Sequence, residues 1–139
     1  MDSYKRAGRR RVDNDRITES PWCRRISTEL RQKNAKVIAI VAHQMQEPGI
    51  ADRYVAHLLF AGWLEFKGPK THVKLVQRIF LREMCERGVP ACLVQANEAT
   101  LGSAGKILRW DGEWLGTFDG TGENLLAELN KVRAPILDQ

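Results

Sequence analysis

Two stretches of this chain, Gly49-Ile50-Ala51-Asp52 and Trp63-Leu64-Glu65-Phe66-Lys67, decide how its central part folds. The second stretch is rich in aromatic and aliphatic residues, and this composition predicts a largely buried strand. Side chains alternate between the two faces of a strand, so Glu65 and Lys67 point to the same face. Because charged side chains in a buried strand need a partner or a function, these two residues are the first candidates for a site.

The segments around this strand predict a mixed sheet. The apolar run at 37–42 predicts one strand, and 52–60 predicts a second that joins the strand 62–66 through a hairpin turn at Ala61-Gly62. From 72 to 87 the apolar residues repeat at helical spacing, and Gly88 ends this helix. It leads into an apolar strand at 91–94, which we expect to lie parallel to the strand carrying Glu65.

Helices are also predicted near both ends of the chain. The first begins between Thr18 and Pro21, and its apolar stripe consists of Trp22, Cys23, Ile26 and Leu30. Towards the C-terminus, Asp111-Gly112 predicts a hairpin over 107–115, and 124–132 predicts a final helix. The expected fold class is α/β, a sandwich with a central mixed sheet flanked by helices, plus a C-terminal hairpin and helix.

The expected organisation is a basic N-terminal arm at 1–17 and a single domain at 18–139. The chain has 139 residues, 43% of them hydrophobic, and a net charge of +5. Such a charge favours an anionic partner, and nucleic acid is the commonest. The arm either binds phosphate or is only a solvated tail. Its basic residues are Lys5, Arg6, Arg9, Arg10, Arg11 and Arg16.

Several other classes of protein find no support in the sequence. No apolar run reaches the roughly 18 residues that span a bilayer. The first residues lack the apolar segment of a secretion signal, so we expect a cytoplasmic location. The histidines show no H-x-x-x-H spacing and the cysteines no C-x-x-C spacing, so a zinc site is not predicted. We interpret the cysteines as reduced core residues; they are Cys23, Cys85 and Cys92.

Asp52 opens the strand that precedes the one carrying Glu65, so the two carboxylates can approach each other near one end of the sheet. Two ionised carboxylates at short range repel unless a cation lies between them. Mg²⁺ or Mn²⁺ is the natural occupant of such an oxygen site. A lysine at Lys67 can position the attacking water, and the set predicts metal-assisted hydrolysis, most plausibly of a phosphodiester. Taken singly, each residue has an ordinary structural role, as a turn residue or a surface ion pair.

With these residues in order, the chain resembles the VRR-NUC nucleases, a branch of the PD-(D/E)xK superfamily. The resemblance covers about residues 18–95, which would be the core of the domain, with 96–139 as an appended hairpin and helix. It depends on a glutamate that begins the first helix, a G-x-P-D-like segment, an E-x-K-G segment and a helix that bears glutamine. These are Glu19, Gly49-Ile50-Ala51-Asp52, Glu65-Phe66-Lys67-Gly68 and Gln77, followed by Gly88.

The resemblance implies a restriction-endonuclease-like fold and a complete set of catalytic residues. Asp52 and Glu65 would bind Mg²⁺ or Mn²⁺, with Lys67 at the water. Glu19 would be a further ligand, directly or through water, and Gln77 a supporting residue of the site. The backbone carbonyl of Phe66 would be another ligand.

One residue departs from the family pattern, because Ala51 stands where the family usually has proline. Proline there fixes a turn and donates no ligand, so its loss does not remove chemistry. Small members of this family, often from phages, include homodimers that cut branched DNA, among it four-way (Holliday) junctions. The resemblance therefore implies a structure-specific DNA endonuclease, phage-encoded and acting in the bacterial host.

Two other functions stay open at this point. One is a DNA-binding accessory protein with the same fold and no catalysis, and the other is a structural phage protein whose acidic and basic residues form ordinary ion pairs. The tryptophans of the C-terminal hairpin, Trp110 and Trp114, either stack on a base or pack in the core or at an interface.

Overall fold

The computed structural model describes residues 20–40, 49 and 51–138. Within them the protein is α/β, with a six-stranded mixed sheet and four helices packed against it. The helices are α1 (Pro21–Gln32), α2 (Leu75–Glu86), α3 (Gly122–Lys131) and α4 (Arg133–Leu137). The strands are β1 (Lys36–Ala39), β2 (Arg53–Ala56), β3 (Ala61–Lys67), β4 (Ala91–Ala96), β5 (Gly105–Leu108) and β6 (Trp114–Phe118).

The strands lie in the sheet in the order in which they occur along the chain. Strands β3 and β4 are parallel and are joined by α2, which confirms the crossover expected from the sequence. All the other neighbours are antiparallel. The hairpin around Asp111-Gly112 is also confirmed, and β5 pairs with β4, so this hairpin extends the central sheet.

The predicted turn at Ala61-Gly62 is wrong. Both residues belong to β3 and pair with β2, and the chain reverses between His57 and Phe60, whose backbones bond at 2.9 and 3.2 Å. The His57 ring makes this turn possible, because its Nδ1 accepts from the Leu59 amide at 3.0 Å. The turn residues Leu58 and Leu59 are apolar, so the sequence did not indicate a turn there. The predicted strand 52–60 is shortened to β2.

Gly62 is needed inside the strand, where the chain passes very close to its neighbour. A Cβ atom at Gly62 would lie 2.2 Å from the carbonyl oxygen of Pro90. That oxygen accepts a hydrogen bond from the Trp63 amide at 2.9 Å, so it is fixed in place. The glycine allows β3 to approach the start of β4.

Helix α1 begins as predicted, and helix α2 begins later than predicted. Ser20 caps α1 by accepting from the Cys23 amide at 3.0 Å, and the expected apolar stripe is buried. Helix α2 starts at Leu75 and not at 72, because 68–74 forms a loop after β3. The apolar positions Val76 and Ile79 are 45% exposed, so the buried stripe of α2 is narrower than the sequence suggests.

The two faces of β3 pack against different helices. Phe66 meets Trp22 of α1 with ring centroids 6.0 Å apart, and Trp63 meets Phe80 of α2 at 5.3 Å. By the alternation of a strand, Glu65 and Lys67 share the α2 side with Trp63. No helix among the described residues is long and apolar enough to cross a membrane.

We predict that Gly62→Ala lowers the free energy of unfolding by about 2 kcal/mol, because the added methyl group forces the backbone of β3 away from Pro90. Urea unfolding followed by circular dichroism measures the change. Gly102→Ala is the matched control, since a Cβ at Gly102 would meet no atom within 4 Å. Equal stability of the two variants would contradict the close packing of β3 on Pro90.

Candidate functional site

The carboxylates of Asp52 and Glu65 lie together where β2 begins beside β3. Arg53 pairs with Leu64 in the sheet, which places Asp52 next to Glu65. Each carboxylate accepts a hydrogen bond from a backbone amide near the other one. Glu65 Oε1 accepts from the Asp52 amide at 3.0 Å, and Asp52 Oδ1 accepts from the Phe66 amide at 3.4 Å. Each carboxylate is thereby oriented by the other residue's strand.

Lys67 and Gln77 converge on the second oxygen of the same glutamate. Lys67 Nζ lies 3.2 Å from Glu65 Oε2, and both side chains are at most one-tenth exposed. Gln77 Nε2 donates to this oxygen at 2.9 Å. The other end of the amide, Gln77 Oε1, accepts from the Lys74 backbone at 3.2 Å and caps the first turn of α2. The structure therefore brings together Asp52, Glu65, Lys67 and Gln77.

Arg53 is a buried cation at the edge of this cluster that the sequence analysis missed. It is 5% exposed, and its Nη1 donates to the carbonyl oxygen of Asp52 at 2.9 Å. Strand alternation places it on the opposite face of the sheet from Asp52, together with Val55. Its position directly after the candidate aspartate, at a buried place in a strand, was the signal available in the sequence.

Burial raises the pKa of both carboxyl groups. Burial first, and then the negative charge of Glu65, raises the pKa of Asp52 to about 8, against the opposing effect of Arg53. The pKa of Glu65 is also raised by burial, although Lys67 opposes this rise. Lys67 and Arg53 thus do not offset the effect of burial on the two carboxyl groups. A further cation between them would favour the ionised forms.

The donor atoms of the cluster fit a hard divalent cation. Mg²⁺ is commonly bound through one or two carboxylates and keeps several waters, and Asp52 and Glu65 supply that number. Among the described residues no third histidine, cysteine, aspartate or glutamate joins them. Glu19, the further predicted ligand, lies outside the described residues, as does the basic arm at 1–17. The predicted role of the Phe66 carbonyl stays a prediction.

The tryptophans of the C-terminal hairpin and the three cysteines, which the sequence also singled out, differ in their exposure to solvent. Trp110 is half-buried against the core, with the guanidinium groups of Arg82 and Arg109 at 5.1 and 5.6 Å from its ring. Trp114 is 60% exposed. The three cysteines are free and buried, as predicted, and burial raises the pKa of the Cys85 thiol.

Neither the models of known protein families nor the curated proteins give a match to this chain.

We predict that the metal-free protein loses stability as the pH rises from about 4 to about 8. Over this range Asp52 is ionised in the unfolded chain and protonated in the folded one, so the folded state binds more protons. The Asp52→Asn variant lacks this loss and should be more stable than the wild type at pH 8 by about 2 kcal/mol, and similar to it at pH 4. Urea unfolding in EDTA at several pH values measures both.

The control is Asp119→Asn, because hydrogen bonds from Thr121 lower the pKa of Asp119. Its contribution to stability has the opposite sign, since it is present at neutral pH and is lost as the pH falls. If Asp52→Asn changed stability by the same amount at pH 4 and pH 8, the buried carboxylate pair would not be the cause.

Proposed function

We propose that this protein is a divalent-metal-dependent DNA endonuclease with a restriction-endonuclease-like fold. The observation that carries the proposal is the buried cluster in which Asp52 and Glu65 lie together beside Lys67. Two carboxylates with raised pKa values beside one lysine form an unfavourable arrangement for stability alone. The same arrangement suits a site that binds a cation and acts on a phosphodiester.

Each side chain of the cluster has a distinct role in this proposal. Asp52 and Glu65 would hold Mg²⁺ or Mn²⁺, which when bound polarises the scissile phosphate and stabilises the leaving oxygen. Lys67 orients the attacking water and places positive charge where negative charge develops. Gln77 acts as a positioning residue, because its hydrogen bond to Glu65 Oε2 fixes that carboxylate. Glu19 would complete the ligand set.

The surface that follows Lys67 supports a polyanionic substrate. The loop after β3 and the first turn of α2 expose Lys70, Lys74 and Arg78, and the sequence has no acidic residue between Glu65 and Glu83. Phosphates beyond the scissile one would meet these cations. Branched DNA, including four-way junctions, is the substrate class proposed from the resemblance, with the protein acting in the bacterial cytoplasm.

A homodimer is part of the same proposal, and an exposed apolar surface supports it. On α2 three apolar side chains reach solvent beside the basic loop: Leu75, Val76 and Ile79. A second copy of the protein that covers this surface would place two candidate sites against two strands of the DNA.

A DNA-binding accessory protein without catalysis is the second candidate. It is favoured by one observation, that the described residues supply only a pair of acidic ligands. Cleavage separates the two functions, whereas binding is common to both.

We predict cleavage of labelled DNA that requires Mg²⁺ or Mn²⁺ and is abolished by EDTA. Four-way junction, flap, linear duplex and single-stranded DNA should be compared, with the junction cut fastest. Lys67→Ala should reduce the rate at least about 100-fold, because a charge that stabilises the transition state is removed. Gln77→Leu should have a smaller effect that higher metal concentration partly restores.

The matched control is Lys131→Ala, which removes an exposed lysine from α3, a helix that packs against α1. Equal thermal unfolding temperatures in the presence of metal ensure that the folds are comparable. Binding without cleavage under every condition would favour the accessory protein. Cleavage that persists in Lys67→Ala at the wild-type rate would refute the assignment of this residue.

A further inference from the structure

A cavity of about 370 Å³ lies at the end of the sheet where β3 and β4 finish. Its walls are almost entirely apolar and come from the start of α1, the loop after β3 and the loop after β4. The side chains that form them include Pro21, Trp22, Pro69, Ala96 and Leu101, with Glu98 as the one acidic member. Crevices at the carboxyl ends of parallel strands are a common place for ligands in α/β proteins.

Hydrogen bonds hold the loops that form this cavity. Trp22 Nε1 donates to the Ser103 carbonyl at 2.8 Å, and Arg25 Nε donates to the Leu101 carbonyl at 3.1 Å. On the other wall, Gln95 Nε2 donates to the Gly68 carbonyl at 3.1 Å. The cavity is therefore formed before any ligand arrives, which reduces the ordering cost of binding.

The cavity follows the candidate catalytic cluster in the chain and lies at the same end of β3, on the side of the sheet where α1 packs. Gly68 and Pro69, which line it, directly follow Lys67 at the end of β3. Lys70, which follows Pro69, and Arg24, two residues after Trp22, are exposed, although neither lines the cavity. A cavity with apolar walls, next in the chain to these cations, matches a flat, apolar group that is attached to phosphates.

We infer that this cavity binds an unstacked nucleobase of the substrate strand, next to the phosphate that is cut. The inference rests on the proposed function and narrows its substrate to DNA whose nucleotide at the cleavage position is unpaired or easily unstacked, as at a flap, in a single strand or at the branch point of a junction. Extruded bases are typically held between aromatic and apolar side chains. Glu98 adds an acceptor for an exocyclic amino group. A base paired within continuous duplex cannot enter the cavity without being extruded.

The test compares the binding of two labelled single strands of about 12 nucleotides, one of mixed sequence and one built of abasic residues with the same charge. Binding is measured by fluorescence anisotropy in EDTA, where no cleavage occurs. The readout is the ratio of the two dissociation constants, from which the shared phosphate contacts cancel. We expect the wild type to bind the base-bearing strand about tenfold more tightly.

The variant that fills the cavity is the double substitution Ala99→Leu/Thr100→Leu, at two exposed lining positions. It should reduce the ratio to below about twofold, because the apolar contacts of the base are lost. Ala134→Leu on α4 adds the same kind of side chain to another exposed surface and should keep the wild-type ratio. Leu101→Ser, which removes one wall, tests the inference independently if the double variant does not fold.

A wild-type ratio near one would overturn the inference, as would a ratio that the cavity variants leave unchanged. A ratio lost in Trp114→Ala but retained in the cavity variants would assign base stacking to the C-terminal hairpin and would equally overturn it. Failure of the proposed function is a separate result. In that case metal-dependent cleavage is absent while the ratio still depends on the cavity.

Discussion

Strand β3 is covered on both faces, and its two faces carry opposite chemistry. Leu64 and Phe66 face the apolar layer under α1, whereas Glu65 and Lys67 face α2. Because α2 packs on the charged face of β3, these side chains are largely removed from solvent. The carboxylate of Glu65 therefore needs hydrogen-bond donors from within the protein. They are the Asp52 amide at the start of β2 and the Gln77 side chain at the start of α2. The meeting of these three elements defines the site.

This arrangement destabilises the folded chain locally, and the apolar side of the sheet offsets the effect. Two carboxyl groups are held in a poorly solvated place, where burial raises the pKa of both in spite of the nearby Lys67 and Arg53. On the other side of the sheet the packing is tight, with several large side chains that are essentially inaccessible: Val55, Leu64, Val94 and Ile107. Interactions that lower the stability of the folded state in this way are typical of active sites.

Local patterns predicted much of the fold, and contacts between distant residues explain what they missed. The buried stripe of α1, the parallel crossover and the turn at Asp111-Gly112 all follow from spacing within a few residues. The turn at Leu58-Leu59 does not, because the histidine that supports it also contacts the Lys33 carbonyl at 2.9 Å. Gly62 was assigned to a turn because the contact that requires a glycine there, with the carbonyl of Pro90, is made by a residue far along the chain.

The candidate site was predictable to a similar extent and for a similar reason. Strand alternation was enough to place Glu65 and Lys67 on one face. The predicted turn at Ala61-Gly62 would have set Glu65 opposite Leu58, and the true turn at Leu58-Leu59 places it beside Asp52. The membership of Gln77 in the site was expected only from a family resemblance, and its contact with Glu65 Oε2 was not predicted, since helical periodicity does not say which strand residue a helix start will meet. Arg53 was missed because its one signal, alternation with Val55 directly after the candidate aspartate, is weak in a strand of four residues.

The amide of Gln77 connects the site to the dynamics of α2. One end of this amide holds Glu65, and the other holds the Lys74 backbone at the helix start. The Lys74 carbonyl in turn accepts from the amides of Gln77 and Arg78. Fraying of the first helical turn and release of the carboxylate are therefore one local opening event. By linkage, a ligand that favours the orientation in which Glu65 bonds Gln77 must slow hydrogen exchange at the Gln77 and Arg78 amides. Exchange at the start of α2 therefore reports on ligand binding at Glu65.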